Sequence, residues 1–160
     1  MKRKLPIKPN GVCVYVVRTA GGKTEYLLLK RRGTYLDGTW QQVVGGIKQD
    51  EPGWKAALRE MEEETALPAD KVKMYSADVV ETYYDIQKDS IYMAPVFVAF
   101  APAVAAVRVS REHTEFCWVS YDEACLLLPF SQQRDALAMI RREFVERTPN
   151  ELLRVKMEQP

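Results

Sequence analysis

Residues 45–67 read Gly45-Gly-Ile-Lys-Gln-Asp-Glu51-Pro-Gly-Trp-Lys-Ala-Ala-Leu-Arg59-Glu60-Met-Glu-Glu63-Glu64-Thr-Ala-Leu67, and this stretch decides the fold. After the Gly-Gly break, Asp50 or Glu51 can cap a helix, and Pro52 suits its first position, where a missing N–H costs nothing. Trp54, Ala57, Leu58, Met61 and Thr65 then recur on one face at about 100° per residue, and Pro68 stops the helix. Glu60 and Glu64 stand one above the other on a flank of that stripe, with Glu63 their neighbour round the cylinder. No basic residue lies three or four positions from Glu60 or Glu64, so the two repel by about 0.2–0.5 kcal/mol. Both also sit near the helix C-terminus, where the macrodipole disfavours anions by roughly 0.3–1 kcal/mol. Only Glu63 has an intrahelical partner, Arg59. A helix that breaks local rules this consistently is assembling a site. A bound divalent cation would reverse the sign of every one of these effects.

Working outward, Val12–Val17 is β-branched and aromatic, as in a strand buried on both faces. The Ala20–Lys23 turn and Tyr26–Leu29 make a hairpin with it, and Lys30, Arg31 and Arg32 end the return strand. Gly33–Gly38 reads as a loop before Trp40–Val44. Downstream of the helix, Val72–Tyr84 and Ile91–Phe100 alternate as strands, with Pro95 marking an edge or a bulge. Ala101–Val109 has no clear period. Phe116–Val119 is a last short strand, Tyr121–Leu128 a short helix, and Ser131–Arg147 an amphipathic closing helix. The order implies one α/β (α+β) domain over residues 1–147, with a mixed sheet covered by helices, and a charged tail at 148–160 that is mobile or partner-dependent.

Composition narrows the chemistry. The 160 residues carry 23 Lys and Arg against 22 Asp and Glu, with one His and three Cys. A single histidine excludes a two-His zinc site within one chain and funnels any Ser-His-Asp or Cys-His scheme through His113. Cys13, Cys117 and Cys125 lack CxxC spacing, so neither a disulfide framework nor a thiolate cage is expected, and a reducing cytoplasm is. A net charge of +1 argues against a general nucleic-acid coat or a polybasic membrane binder. Pro6 and Pro9 break the basic start, which is read as no secretory signal, and no apolar run nears the roughly 20 residues of a membrane span. A metal, if bound, must be a hard ion held by carboxylates.

Gly45, Glu51 with seven residues between it and Arg59, and Arg59-Glu60-Met-Glu-Glu63-Glu64-Thr-Ala-Leu67 together resemble the Nudix box. Six fixed identities at that spacing arise by chance in roughly one chain of this length in a hundred thousand. The resemblance implies a Nudix-like α/β/α sandwich, a mixed sheet flanked by the box helix and a C-terminal helix. It also implies hydrolysis of nucleoside diphosphates linked to another group, with Mg²⁺ or Mn²⁺ as cofactor. One position departs: the family usually has glycine where Ala66 stands, which leaves the helix-ending turn free to fall a residue later.

The resemblance assigns Glu60 and Glu64 as main metal ligands, Glu63 to a second ion or a water, and the Gly45 carbonyl as a further ligand. Arg59 would orient Glu63, and Glu51 would brace the loop. The general base is expected outside the helix at Glu112, with Glu115 second. Lys30, Arg31 and Arg32 could grip the phosphates that are not cleaved, and His113 could touch substrate or move a proton. Tyr35, Trp40, Tyr83 and Phe130 could stack on a base or pterin ring.

Leu27–Arg32, Gly38–Gly45 and the Glu112-His113 pair six residues before Trp118 are similar to a bacterial subgroup of the family. Its members convert deoxyadenosine triphosphate and dihydroneopterin triphosphate to the monophosphate and pyrophosphate. Trp40-Gln41 ahead of Gly45-Gly46-Ile47 also resembles hydrolases of dinucleoside polyphosphates and of capped RNA ends. The expected partner is thus a small nucleoside or pterin triphosphate, with a capped or triphosphate RNA end as the alternative. A non-catalytic nucleotide sensor of this family would typically have lost its metal-binding glutamates, whereas Glu51, Glu60, Glu63 and Glu64 all stand here.

Overall fold

The computed structural model describes residues 1–157. In chain order the strands and helices are β1 (Ile7–Lys8), β2 (Gly11–Ala20), β3 (Lys23–Arg31), β4 (Trp40–Gln41), β5 (Val43–Gly46), α1 (Gly53–Thr65), β6 (Lys73–Asp85), β7 (Ser90–Phe100), β8 (His113–Val119), α2 (Tyr121–Leu127) and α3 (Ser131–Ile140). The strands form one mixed sheet in which β2 runs parallel to β7 and antiparallel to β3 and β5. The β2–β3 hairpin turns on Gly21 and Gly22, at φ +56° and +76°, values a two-residue turn needs and glycine adopts without strain.

The sheet is covered on both faces, giving the expected α/β/α sandwich. Alternation along β2 sends Val12, Val14 and Val16 into a core with Ala57, Leu58 and Met61 of α1. Cys13, Tyr15 and Val17 point the other way, into a core with Leu137 and Ile140 of α3. β2 pairs with β3 only over Val17–Ala20 and with β5 over Gly11–Val14, while β3 pairs with β4 at Leu29 and Lys30. The two long strands therefore splay apart, and residues 40–46 fill the wedge. That wedge is what brings the Gly45 turn beneath α1.

Several sequence expectations are revised. Pro52 itself is the N-cap of α1, with no side-chain cap, because the Glu51 carboxylate is engaged by Arg59 instead. Ala66 does not displace the helix end: it takes the left-handed conformation itself, at φ +59°, and its N–H reaches the Glu62 carbonyl at 2.9 Å. A non-glycine residue there costs roughly 1 kcal/mol. Pro95 lies opposite a register shift in β6 between Ser76 and Val80, so the bulge is on the neighbouring strand. The closing helix keeps α form only to Ile140 and continues as one wide turn over Arg141–Val145, where the Glu146 N–H bonds the Arg141 carbonyl at 2.8 Å.

The expectation of a mobile segment after Arg147 also changes. Residues 151–155 lie along the free edge of β6: the Val155 N–H bonds the Met74 carbonyl at 2.9 Å, and Tyr75 pairs with Arg154. The Tyr75 hydroxyl also donates to Glu151 at 2.7 Å. Backbone pairing, the Tyr75 contacts and two apolar side chains, Leu153 on the α3-side core and Val155 on the α1-side core, supply this docking, which the sparse apolar content of the segment did not predict. The last part of the expected tail, residues 158–160, lies outside the described residues.

Inside the α3-side core sits a buried carboxyl, Glu81. The Tyr15 hydroxyl donates to it at 2.7 Å, while the Cys13 thiol and the Gln42 amide face its other oxygen at 3.4 and 3.5 Å. Burial pushes this carboxyl above its ordinary range despite those donors. Because the folded-state value is raised, the wild type loses stability as pH climbs past the unfolded carboxylate value. Glu81→Gln should therefore match the wild type in melting temperature near pH 4 and exceed it near pH 8. Parallel thermal melts at the two pH values check this; an equal difference at both would show that Glu81 ionisation does not act on the fold.

Candidate active site

The Gly45–Glu51 loop is clamped to α1 by one side chain. Arg59 donates Nε to Glu51 Oε1 at 2.8 Å and Nη2 to Glu51 Oε2 at 2.9 Å, a bidentate pair. The same Nη2 reaches the Gly46 carbonyl at 2.8 Å, and Nη1 reaches Glu60 at 2.6 Å and Glu63 at 3.2 Å. The Lys48 N–H adds a bond to Glu51 at 3.0 Å. With Arg59 as first cause, the Glu51 carboxyl is held down to about 2. Glu60, which has no basic residue three or four positions away, is thus met by its immediate neighbour in the chain.

Gly45 is required by close approach. A Cβ there would lie 2.0–2.4 Å from Cγ, Cδ and Oε2 of Glu60. One turn on, Glu64 is only 3% exposed, and its Oε2 has no hydrogen-bond partner. Burial, then the charges of Glu60 and Glu112, raise its carboxyl to about 9, against a small opposing pull from the Val44 N–H and Arg31. A buried, orphaned carboxylate oxygen beside two further carboxylates is the donor set of a hard divalent ion. The residues fit such an ion, although among the described residues no three acidic, imidazole or thiol groups already form a cage, Glu60 being turned to Arg59. Glu63 stands outermost, its side chain 55% exposed.

Outside the helix, the structure separates the two expected bases. Glu112 is exposed and close enough for its charge to act on Glu64. Glu115 instead pairs with Lys30 at 3.2 Å, and Lys30 in turn lies 5.7 Å from the Trp40 ring, which packs on the α3-side core. Both are thereby turned from α1. Arg31 does face the site: its positive charge acts on both Glu64 and His113, and its Nε is tied to the Tyr35 carbonyl at 2.8 Å. Arg32 is exposed, with its N–H on the Glu112 carbonyl at 2.8 Å, so the β3 end and the Glu112 loop are joined through the backbone.

His113 is corrected most. It is 3% exposed and lies beneath Glu64, so it is not placed to touch substrate. Burial and Arg31 lower its imidazole to about 4, which leaves it neutral at pH 7. The cause is a register shift: β3 Lys30 pairs with Glu115 but Arg31 pairs with His113, skipping Thr114. Gln41, which the sequence reading passed over as a residue of its own, is buried beside it, with its amide nitrogen 3.4 Å from His113 Nε2. A glutamine inside the apolar run Trp40–Val44 was the available signal.

Aromatic side chains gather at the β6–β7 turn. Tyr83 and Tyr92 are 5.2 Å apart, and Tyr92 fits only because Gly11 has no side chain, since a Cβ there would overlap its hydroxyl. Tyr35 lies between Arg31 and Lys88, at 5.5 and 5.4 Å, with Asp85 beside its phenol. Phe130 is exposed at the start of α3.

The model of the NUDIX domain family matches residues 8–147. An octanoyltransferase from Myxococcus xanthus is 30% identical over 128 residues, which cover 79% of this chain but only 35% of that protein. An asymmetrical bis(5'-nucleosyl)-tetraphosphatase from Caenorhabditis elegans is 25% identical over 131 residues, covering 82% of this chain and 91% of that one. Among solved structures, a NUDIX hydrolase from Listeria monocytogenes superposes with a TM-score of 0.74 at 28% identity, covering 87% and 96% of the two chains. The Escherichia coli dihydroneopterin triphosphate pyrophosphohydrolase shares the fold, with a TM-score of 0.70 at 20% identity and 89% and 99% coverage.

Proposed function

The chain belongs to the NUDIX domain family and is a hydrolase of phosphoanhydride bonds, and from that premise we propose that it cleaves a nucleoside- or pterin-triphosphate substrate to the monophosphate and pyrophosphate with Mg²⁺ or Mn²⁺. The observation that carries the reading is the partnerless Oε2 of buried Glu64 beside Glu60, over a turn with no room for a side chain. Glu60, Glu64 and the Gly45 carbonyl are the proposed ligands, with Glu63 at the outer edge. A divalent ion held there supplies Lewis-acid stabilisation of the charge that builds on the phosphoryl oxygens.

The chain's own residues do the rest. Arg59 holds the loop and the helix carboxylates in one frame. Glu112, exposed beside Glu64, takes the proton of the attacking water. Arg31 and Arg32 bind the phosphates that are not cleaved, while Lys30, engaged by Glu115, has the weaker claim. Tyr35 and Tyr83 offer ring faces to the base or pterin. Dinucleoside tetraphosphates are the second reading, favoured by the relative that matches over 91% of its length.

A panel of dATP, dihydroneopterin triphosphate and diadenosine tetraphosphate with Mg²⁺ tests this, read by phosphate release with and without added pyrophosphatase and by chromatography of the nucleotides. Phosphate that appears only with pyrophosphatase supports the first reading. Cleavage of the tetraphosphate alone would replace it with the second, and no turnover of any member would remove both. Glu112→Gln should lower kcat about 10²–10⁴-fold without changing the melting temperature. An unchanged kcat would move the base to Glu63 or Glu115.

A further inference from the structure

Among the described residues two buried side-chain polar atoms have no hydrogen-bond partner, Glu64 Oε2 and His113 Nδ1, and they belong to neighbouring side chains. His113 Nε2 lies 3.9 Å from Glu64 Oε2, and the Gln41 amide lies 3.4 Å from the same ring nitrogen. A neutral imidazole carries one N–H, so its two nitrogens cannot both be donors. One ring nitrogen therefore faces both the Gln41 amide and Glu64 Oε2 in a space closed to solvent.

The backbone shows that this placement is built. β3 and β8 pair regularly from Tyr26↔Val119 to Lys30↔Glu115, and then Arg31 pairs with His113. Regular pairing would have set Thr114 opposite Arg31. The extra residue turns the His113 ring inward under α1, and bulges of this kind commonly re-aim a side chain beside an active site. On the other side, Leu29 pairs with Gln41, so β4 delivers the amide to the same spot. The end of α1 is fixed there as well, since the Ser110 N–H reaches the Glu64 carbonyl at 3.3 Å. An apolar residue at 113 would fill the hole without stranding a ring nitrogen. The fold keeps the imidazole and tolerates the stranding.

We propose that His113 is a positioning residue: with the Gln41 carbonyl oxygen and Glu64 Oε2 both drawing on its Nε2–H, it fixes the inner carboxylate oxygen of Glu64 for a divalent ion. In this arrangement the Gln41 amide is turned so that its oxygen, not its nitrogen, faces the ring, an interchange that leaves its shape unaltered. Partners behind a ligand typically change metal affinity 10–100-fold when removed. The proposal rests on Glu64 being a metal ligand.

Mn²⁺ binding measured by electron paramagnetic resonance, alongside kcat, KM and a metal-free melt, tests it on the full chain. His113→Gln places an amide N–H near the position of Nε2, and His113→Asn places one near Nδ1. The glutamine variant should keep Mn²⁺ affinity close to that of the wild type, while the asparagine and leucine variants should weaken it about 10–100-fold and lower kcat more than they raise KM. Gln41→Met should reproduce part of that loss with the histidine in place. Equal Mn²⁺ affinity in all the His113 variants, with Glu64→Gln still abolishing binding, would overturn the proposal and leave the ligand reading intact. Unchanged Mn²⁺ binding in Glu64→Gln would instead remove the ligand reading, and His113's role with it. Should His113→Leu not fold, the glutamine–asparagine contrast decides alone.

Discussion

Glu64→Gln is expected to lower the turnover number about 10³-fold or more, while the metal-free protein melts at the same temperature or higher. The two halves of that result have one cause. Glu64 is 3% exposed, its Oε2 has no hydrogen-bond partner, and its carboxyl is raised to about 9, so in the metal-free protein at pH 7 it is held protonated at a cost to the fold. Glutamine keeps the shape, can still accept the Val44 N–H, and is neutral without having to take up a proton. Relieving that cost is worth about 1–3 kcal/mol, or roughly 2–10 °C for a chain of this size. Turnover is lost because a neutral amide is a poor ligand for a hard ion. Scanning fluorimetry in chelator, set beside steady-state kinetics, reads both halves. A clear drop in the metal-free melting temperature would mean that Glu64 serves the fold instead.

Arg59→Lys is expected to cost both properties together, a loss of about 10²-fold in kcat and roughly 2–10 °C in melting temperature. Lysine keeps the charge but is a single point donor, whereas Arg59 meets Glu51 through two nitrogens and also holds the Gly46 carbonyl, Glu60 and Glu63. Releasing the loop frees Gly45 from its place under Glu60. Added Mg²⁺ should restore part of the melting temperature, because an ion would then gather the carboxylates that the guanidinium no longer does. A variant with wild-type melting and kinetics would show that the clamp is dispensable.

How much of this was readable from the sequence depends on the range of the interaction. The α1 stripe, the Gly-Gly break and the β2–β3 hairpin follow from local periodicity and turn chemistry, and the structure has them within a residue or two. The crowding of Glu60 and Glu64 followed from helical geometry. Whether a carboxylate is buried did not, since that depends on residues 101–112 folding over the end of α1, a stretch with no period of its own. Glu112 and Glu115 looked alike in sequence, and only the skipped Thr114 sends one to the site and the other to Lys30. Register is set by pairing partners far away in the chain, so alternation could not reveal it. Arg59 reaching its own neighbour Glu60 was missed because helix-surface rules count positions three and four away.

The strip of residues 151–155 against β6 also gives the chain a clock. Tyr75 and Arg154 are 79 positions apart, which at ordinary synthesis rates is about 4–16 s. For that interval the outer backbone of β6, the last strand on its side of the sheet, stands open to any other chain that offers a strand. The bulge at Asp78, held at φ +59°, interrupts the open stretch before the strip arrives. The newborn protein is therefore exposed to edge-to-edge pairing in those seconds, before the strip that closes the edge has been made.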